Sequence, residues 1–185
     1  DKDSTASVRI ACEIMKEIGT ETHGARSPGQ RAGSKFEEIC LAFIETTFQA
    51  LQHLRPGRWG IVRGGSRNRL EIAKYEQYAH LVALDRAAKK DPELAAVLGS
   101  DYTITPDIVI CRHPEPDESI NQKKHLIDDT VSQYSSLREK NNPLPILHAS
   151  ISCKWTIRSD RAQNARSEAL NLVRNRKGSL PHIMV

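Results

Sequence analysis

From Ile146 to Ile157 the chain alternates more strictly than anywhere else in its length. Leu147, Ala149, Ile151, Cys153 and Trp155 fall on one parity, and Ser150, Ser152 and Lys154 on the other. A period of two specifies a strand with one face turned to an apolar core. A helical stretch follows, Ala162 to Arg176, with Ala165, Ala169, Leu172 and Val173 as its apolar stripe. His182 to Val185 then begins another strand.

The other segments read by the same periodicities. Ser7 to Ile18 is expected to be a short helix stopped by Gly19, and Gln30 or later through Leu54 a longer one ended by Arg55-Pro56-Gly57. Trp59 to Arg63 and Tyr102 to Arg112 read as strands. Leu70 to Leu98 reads as helix broken at Asp91-Pro92, and Asp117 to Lys140 as a polar helix. Helices alternate with strands, so the class is α/β or mixed α+β around one central sheet.

A length of 185 residues fits one domain with a core of its own. The first residue is not methionine and the last lies in an apolar strand, so the expectation is a single domain, 1–185, lacking a C-terminal continuation. No apolar run reaches membrane-spanning length, and no leader is read at the start. Cys12, Cys40, Cys111 and Cys153 lie far apart with no paired spacing, which argues against a zinc site or disulfide framework and for a cytoplasmic protein. An aromatic content of 5% argues against stacking platforms for single strands.

The net charge of +4 is concentrated in one place. Ile151 to Gly178 holds seven basic residues against two acidic, a net +5, and the rest of the chain is close to neutral. A positive segment on a neutral body suits a polyanion, and equally a solvated basic helix face.

Within that segment Lys154 stands on a buried strand and needs an anionic partner. Asp107 is the candidate: it follows Pro106 and opens the apolar run Ile108-Val109-Ile110. Pro116-Asp117 is a competing pair, set aside because a polar loop surrounds it. An acid and a lysine on neighbouring strands form the pattern PD…(D/E)-x-K of metal-dependent nucleases. Oxygen ligands hold a hard divalent cation near the scissile phosphate, and the lysine orients the attacking water. Here Ser152 occupies the usual acid position before the lysine.

Glu168 can replace that acid. Three after Ala165 and four before Leu172, it sits at the inner edge of its helix. The plain alternative is a surface acid pairing with Arg166 or Asn164. Glu37 shares a face with Leu41, Ile44 and Phe48, whereas Glu38 lines up with Ala42, Glu45 and Gln49. Glu37 is thus the more inward of the two, either a member of the site or a first-turn acid favouring the helix dipole. Arg158, Asp160 and Arg161 are types that read guanine and cytosine edges in the major groove, or else a capped helix start with solvated arginines. Gly64-Gly65-Ser66 lacks the pattern of a phosphate-binding loop. The stretch Tyr75 to Leu84 reads as core.

Taken together, Leu147 through Glu168 resembles the NgoMIV-type type II restriction endonucleases of the PD-(D/E)-x-K superfamily. So do Gly65 to Ala73, Tyr78 to Leu81 and Ser100 to Ile108. The resemblance covers most of the chain and is weakest before Arg26 and from Arg112 to Asn142. It implies a central mixed sheet flanked by helices, with the acid relocated in the form PD…S-x-K…E. Asp107, Lys154 and Glu168 match that motif, and the family's further helix glutamate falls on Glu37. It implies Mg²⁺ held by Asp107, Glu168 and the Cys153 carbonyl. DNA contacts are implied from Arg158, Asp160, Arg161 and Gln30. The implied partner is double-stranded DNA cut at GCCGGC to leave 5′ overhangs, by a homodimer or homotetramer. Two other classes stay open on the residues alone: a structure-selective repair nuclease of the same fold, and a non-catalytic DNA-binding module.

Overall fold

The structure, a computed structural model, describes residues 4–17, 29–64, 70–99, 104–156 and 159–185. Asp1–Arg31 and Ala32–Val185 form two compact units. The first contains helix α1 (Thr5–Glu17). Helix α2 (Gly29–Ala50) lies almost wholly in the second.

The second unit is built on a four-stranded sheet of order β1 (Arg58–Arg63), β2 (Ile108–His113), β3 (Ile146–Ile151), β4 (His182–Met184). The first two pairings are antiparallel and the last is parallel. Helix α6 (Ser159–Asn175) makes the crossover that a parallel β3–β4 pair requires. This is the one central sheet that the alternation of helices and strands predicts, mixed and flanked by helices as the resemblance implies.

The core packs Ile72, Tyr75, Tyr78, Leu81 and Ile104 against Val109 and Cys111 of β2, Leu147 of β3 and Leu172 of α6. Tyr78 donates its hydroxyl to the Leu172 carbonyl at 3.0 Å, which ties this layer to α6. Burial pushes the Tyr78 phenol up to about 12. Of the stretch read as core from Tyr75 to Leu84, Tyr75, Gln77, Tyr78 and Leu81 are buried, while Val82 and Ala83 are exposed.

Three elements depart from the periodic reading. Residues 70–98 form two 3₁₀ turns (Glu71–Lys74 and Glu76–Tyr78) and two short helices, α3 (Leu81–Ala88) and α4 (Pro92–Leu98). The expected break at Asp91-Pro92 is there, with the Asp91 carboxylate accepting from the N–H groups of Glu93 and Leu94. The polar helix expected from Asp117 to Lys140 is only α5 (Asp117–Ile120). Its remainder winds around Arg138, 1% exposed, whose guanidinium donates to the carbonyls of Asp128, Val131 and Ser132 and to the Asp117 carboxylate. With no apolar stripe to bury, that segment satisfies its main chain through side chains: Arg138, and also Asn121, Asp128, Asn141 and Asn142. This places Asp117 in a structural ion pair.

The third departure is in β3. The register pairs Ile110 with Ala149 but Cys111 with Leu147, skipping His148. One extra residue in a strand reverses its facing beyond that point. Leu147 therefore joins the core, while Ile151 and Cys153 line the groove beneath α2 with Phe36, Cys40, Phe43 and Ile44. Ser150 and Ser152 are buried. The single apolar face expected from Leu147 to Trp155 is thus divided between two layers, and the strand expected to continue to Ile157 ends at Ile151, which leaves Lys154 beyond it rather than on it. His148 leaves the ladder and packs edge-on to Trp59 and His182. Gln77 holds the skip in place: its amide donates to the Leu147 carbonyl at 2.8 Å and accepts from the Leu147 N–H at 2.9 Å.

Candidate active site

Register brings the first two residues of the site together. Ile108 at the start of β2 lies opposite Ile151 at the end of β3. Asp107, one residue before, therefore lies beside the chain as it leaves β3. Asp107 Oδ2 accepts from the Cys153 N–H at 2.7 Å and from Lys154 Nζ at 3.0 Å. Both side chains are about three-quarters buried. One carboxylate oxygen thus fixes the strand exit and the lysine at once.

The Asp107 main chain is pinned from its other side. Gly64, after β1, donates its N–H to the Asp107 carbonyl at 2.8 Å. A Cβ on Gly64 would stand 1.8 Å from the Pro106 carbonyl oxygen. Only glycine permits that approach. Gly64 thus has a backbone role that no local pattern announces.

Helix α6 supplies the third member. Ala165 and Leu172 are buried against the sheet, and Glu168 between them is carried inward at helical spacing. Burial, and next the negative charge of Asp107, raise the Glu168 carboxyl above its usual range, with Lys154 opposing. Glu168 Oε1 and Ser152 Oγ are both buried, and the Ser152 hydroxyl beside the Glu168 carboxylate opposes the rise together with Lys154. The structure therefore assembles Asp107, Cys153, Lys154 and Glu168 around one point.

Glu37 approaches from α2. Its side chain is 27% exposed against 61% for Glu38, the order that helical phase predicts. It pairs with Arg63 of β1 at 2.8 Å. Burial, the adjacent Cys40 thiol and the carboxylates of Asp107 and Glu37 together push the Cys153 thiol up to about 12. Glu37 thus lies within electrostatic reach of the strand exit.

The expected DNA-reading residues are less fully described. Arg158 lies outside the described residues, as does the side chain of Arg161. Asp160 is exposed in the first turn of α6. Gln30 is in the first turn of α2, with its side chain outside the described residues. Among the described residues no three His, Cys, Asp or Glu side chains form a metal-binding group. The expected ligand set contains two carboxylates and a main-chain carbonyl. Among them, too, no helix is long and apolar enough to cross a membrane.

A mixed sheet flanked by helices, with an acid and a lysine meeting where two of its strands end and an acid on the following helix, defines a restriction-endonuclease-like fold. The comparison with known proteins agrees: the family model described as NgoMIV restriction enzyme matches residues 1–185, and the chain belongs to that family. It is 59% identical over 185 residues to the type II restriction enzyme NgoMIV of Neisseria gonorrhoeae. That alignment covers 100% of this chain and 65% of the relative, so the chain spans about two thirds of that protein's length.

Proposed function

We propose that the protein is a type II restriction endonuclease, hydrolysing phosphodiesters at a specific sequence in both strands of DNA. The observation that carries this is the pair of hydrogen bonds on Asp107 Oδ2 from Lys154 and Cys153, with Glu168 beside them. The family match over residues 1–185 supports reading them as one nuclease domain.

The donor set fits a hard divalent cation, and we assign Mg²⁺. Two carboxylates near each other repel, and the burial of Glu168 beside Asp107 leaves a local negative charge that a hard cation would offset. Asp107, Glu168 and the Cys153 carbonyl would hold the ion, with Glu37 in support. Bound there, Mg²⁺ supplies a Lewis acid for the phosphate and lowers the pKa of coordinated water. Lys154, anchored on Asp107 as an ammonium, would orient the attacking water and offset phosphate charge. In-line displacement would leave a 5′-phosphate and a 3′-hydroxyl.

Arg158, Asp160 and Arg161 would read base edges in the major groove, with Gln30 approaching from the minor groove. We assign GCCGGC as the site with 5′ overhangs, and a homodimer or homotetramer in the cytoplasm as the acting form. Digestion of plasmid DNA by the full-length protein with Mg²⁺, followed by sequencing of the ends, tests this. Ends at one hexamer are expected. Ends scattered at junctions or lesions would indicate a structure-selective nuclease, and no cleavage a binding module.

A further inference from the structure

Arg63 is the last residue of β1 and lies opposite Ile108 in the ladder, one residue from Asp107. Its guanidinium reaches across to α2. Nη2 donates to Ser34 Oγ and to Glu37 Oε2, both at 2.8 Å, and Nη1 donates to Glu38 Oε1 at 3.2 Å. The next residue, Gly64, holds the Asp107 carbonyl. Arg63-Gly64 thus joins two parts of the site: its side chain holds Glu37, and the following N–H holds Asp107.

The planar fork suits this task. One guanidinium nitrogen holds Glu37 and Ser34 while the other is held by Glu38, so the fork fixes the direction from which Glu37 is gripped, which a single ammonium does not. Glu37 projects from a helix one layer away from the strand ends, and an unheld glutamate there samples several rotamers. From these contacts we infer that Arg63 is a positioning residue, which orients the Glu37 carboxylate toward the metal site formed by Asp107 and Glu168. The inference rests on the reading above that Glu37 supports that site.

A merely structural tie between α2 and the sheet predicts a loss of stability and nothing specific to Glu37. The two accounts separate in a double-mutant cycle on metal binding, measured as Mn²⁺ affinity by electron paramagnetic resonance on the full-length protein. Arg63→Ala should weaken Mn²⁺ binding roughly tenfold, the usual scale for losing a partner that orients a ligand. Arg63→Lys should fall between that variant and the parent. In a Glu37→Gln background, Arg63→Ala should weaken binding by less than about twofold, because its target is already gone. An equal tenfold loss in both backgrounds would overturn the inference, as would unchanged affinity for Arg63→Ala in the parent. Glu37→Gln alone tests the underlying reading: if it leaves Mn²⁺ affinity unchanged, Glu37 has no part in the metal site. Circular-dichroism melts of each variant establish that the compared proteins are folded.

Discussion

The Lys154 ammonium stands 3.0 Å from Asp107 Oδ2, the same oxygen that accepts the Cys153 N–H. The lysine is therefore aimed by a carboxylate whose own position is set by two strands. Lys154→Ala should lower the single-turnover cleavage rate by at least roughly 10²–10³-fold, the scale of removing one well-placed donor from a phosphoryl or acyl transfer site. Sequence-specific binding in Ca²⁺ should remain. Cleavage at the parent rate would remove Lys154 from the mechanism.

Glu168 carries a raised carboxyl, and the direction of its effect on stability follows. The folded state binds this proton more tightly than the unfolded chain, so stability falls as pH rises above the ordinary value of 4.5. Without added metal, Glu168→Gln should raise the neutral-pH melting temperature by roughly 2–4 °C, the shift that about 1 kcal/mol makes in a chain this size. The same variant should lose cleavage. A lower melting temperature would mean that the carboxylate is well solvated or paired.

Gly64→Ala tests the close approach to Pro106. With a Cβ placed 1.8 Å from a carbonyl oxygen, the backbone must move. A cost of at least about 2 kcal/mol in urea unfolding is expected, together with loss of cleavage as Asp107 shifts. Parent-like stability would show that the turn relaxes freely.

His148 lies against His182, Trp59 and Phe48 at the skipped position of β3. Burial first, then the charges of His182, Arg55 and Arg112, lower its pKa below 6.5. A histidine held neutral in the fold contributes stability above the unfolded pKa, and this is lost as pH falls through 6.5 toward the folded value. The melting temperature should drop across that window, and His148→Gln should flatten the drop. An identical slope in both proteins would assign the acid sensitivity elsewhere.

Arg158→Ala and Arg161→Ala should each reduce discrimination between the cognate hexamer and single-base variants by about 1–3 kcal/mol in competition binding. Uniform weakening on all sequences would mark them as phosphate contacts.

Much of the site was legible because its signals are local. Strand alternation around Lys154, the apolar run after Asp107 and the helical phase of Glu168 and Glu37 each depend on residues a few positions apart. These single out the four side chains with little help from tertiary structure. Class and sheet content follow from the same periodicities. The polar segment after Asp117 misled because polarity without an apolar stripe is compatible with a solvated helix. What folds it instead is a set of side chains that includes Arg138, far along the chain from the carboxylate it pairs with.

The sequence by itself placed the candidate residues: an acid before an apolar strand, a lysine just beyond another, and an acid on the helix that follows. Tertiary structure decided the rest. It set the skip at His148 that divides β3 between two layers, the approach of Gly64 to Pro106, and the grip of Arg63 on Glu37. Each of these depends on partners that are distant in sequence. Side-chain periodicity carries no information about which distant backbone comes within a few ångströms. Only the packing of the sheet against its helices supplies it.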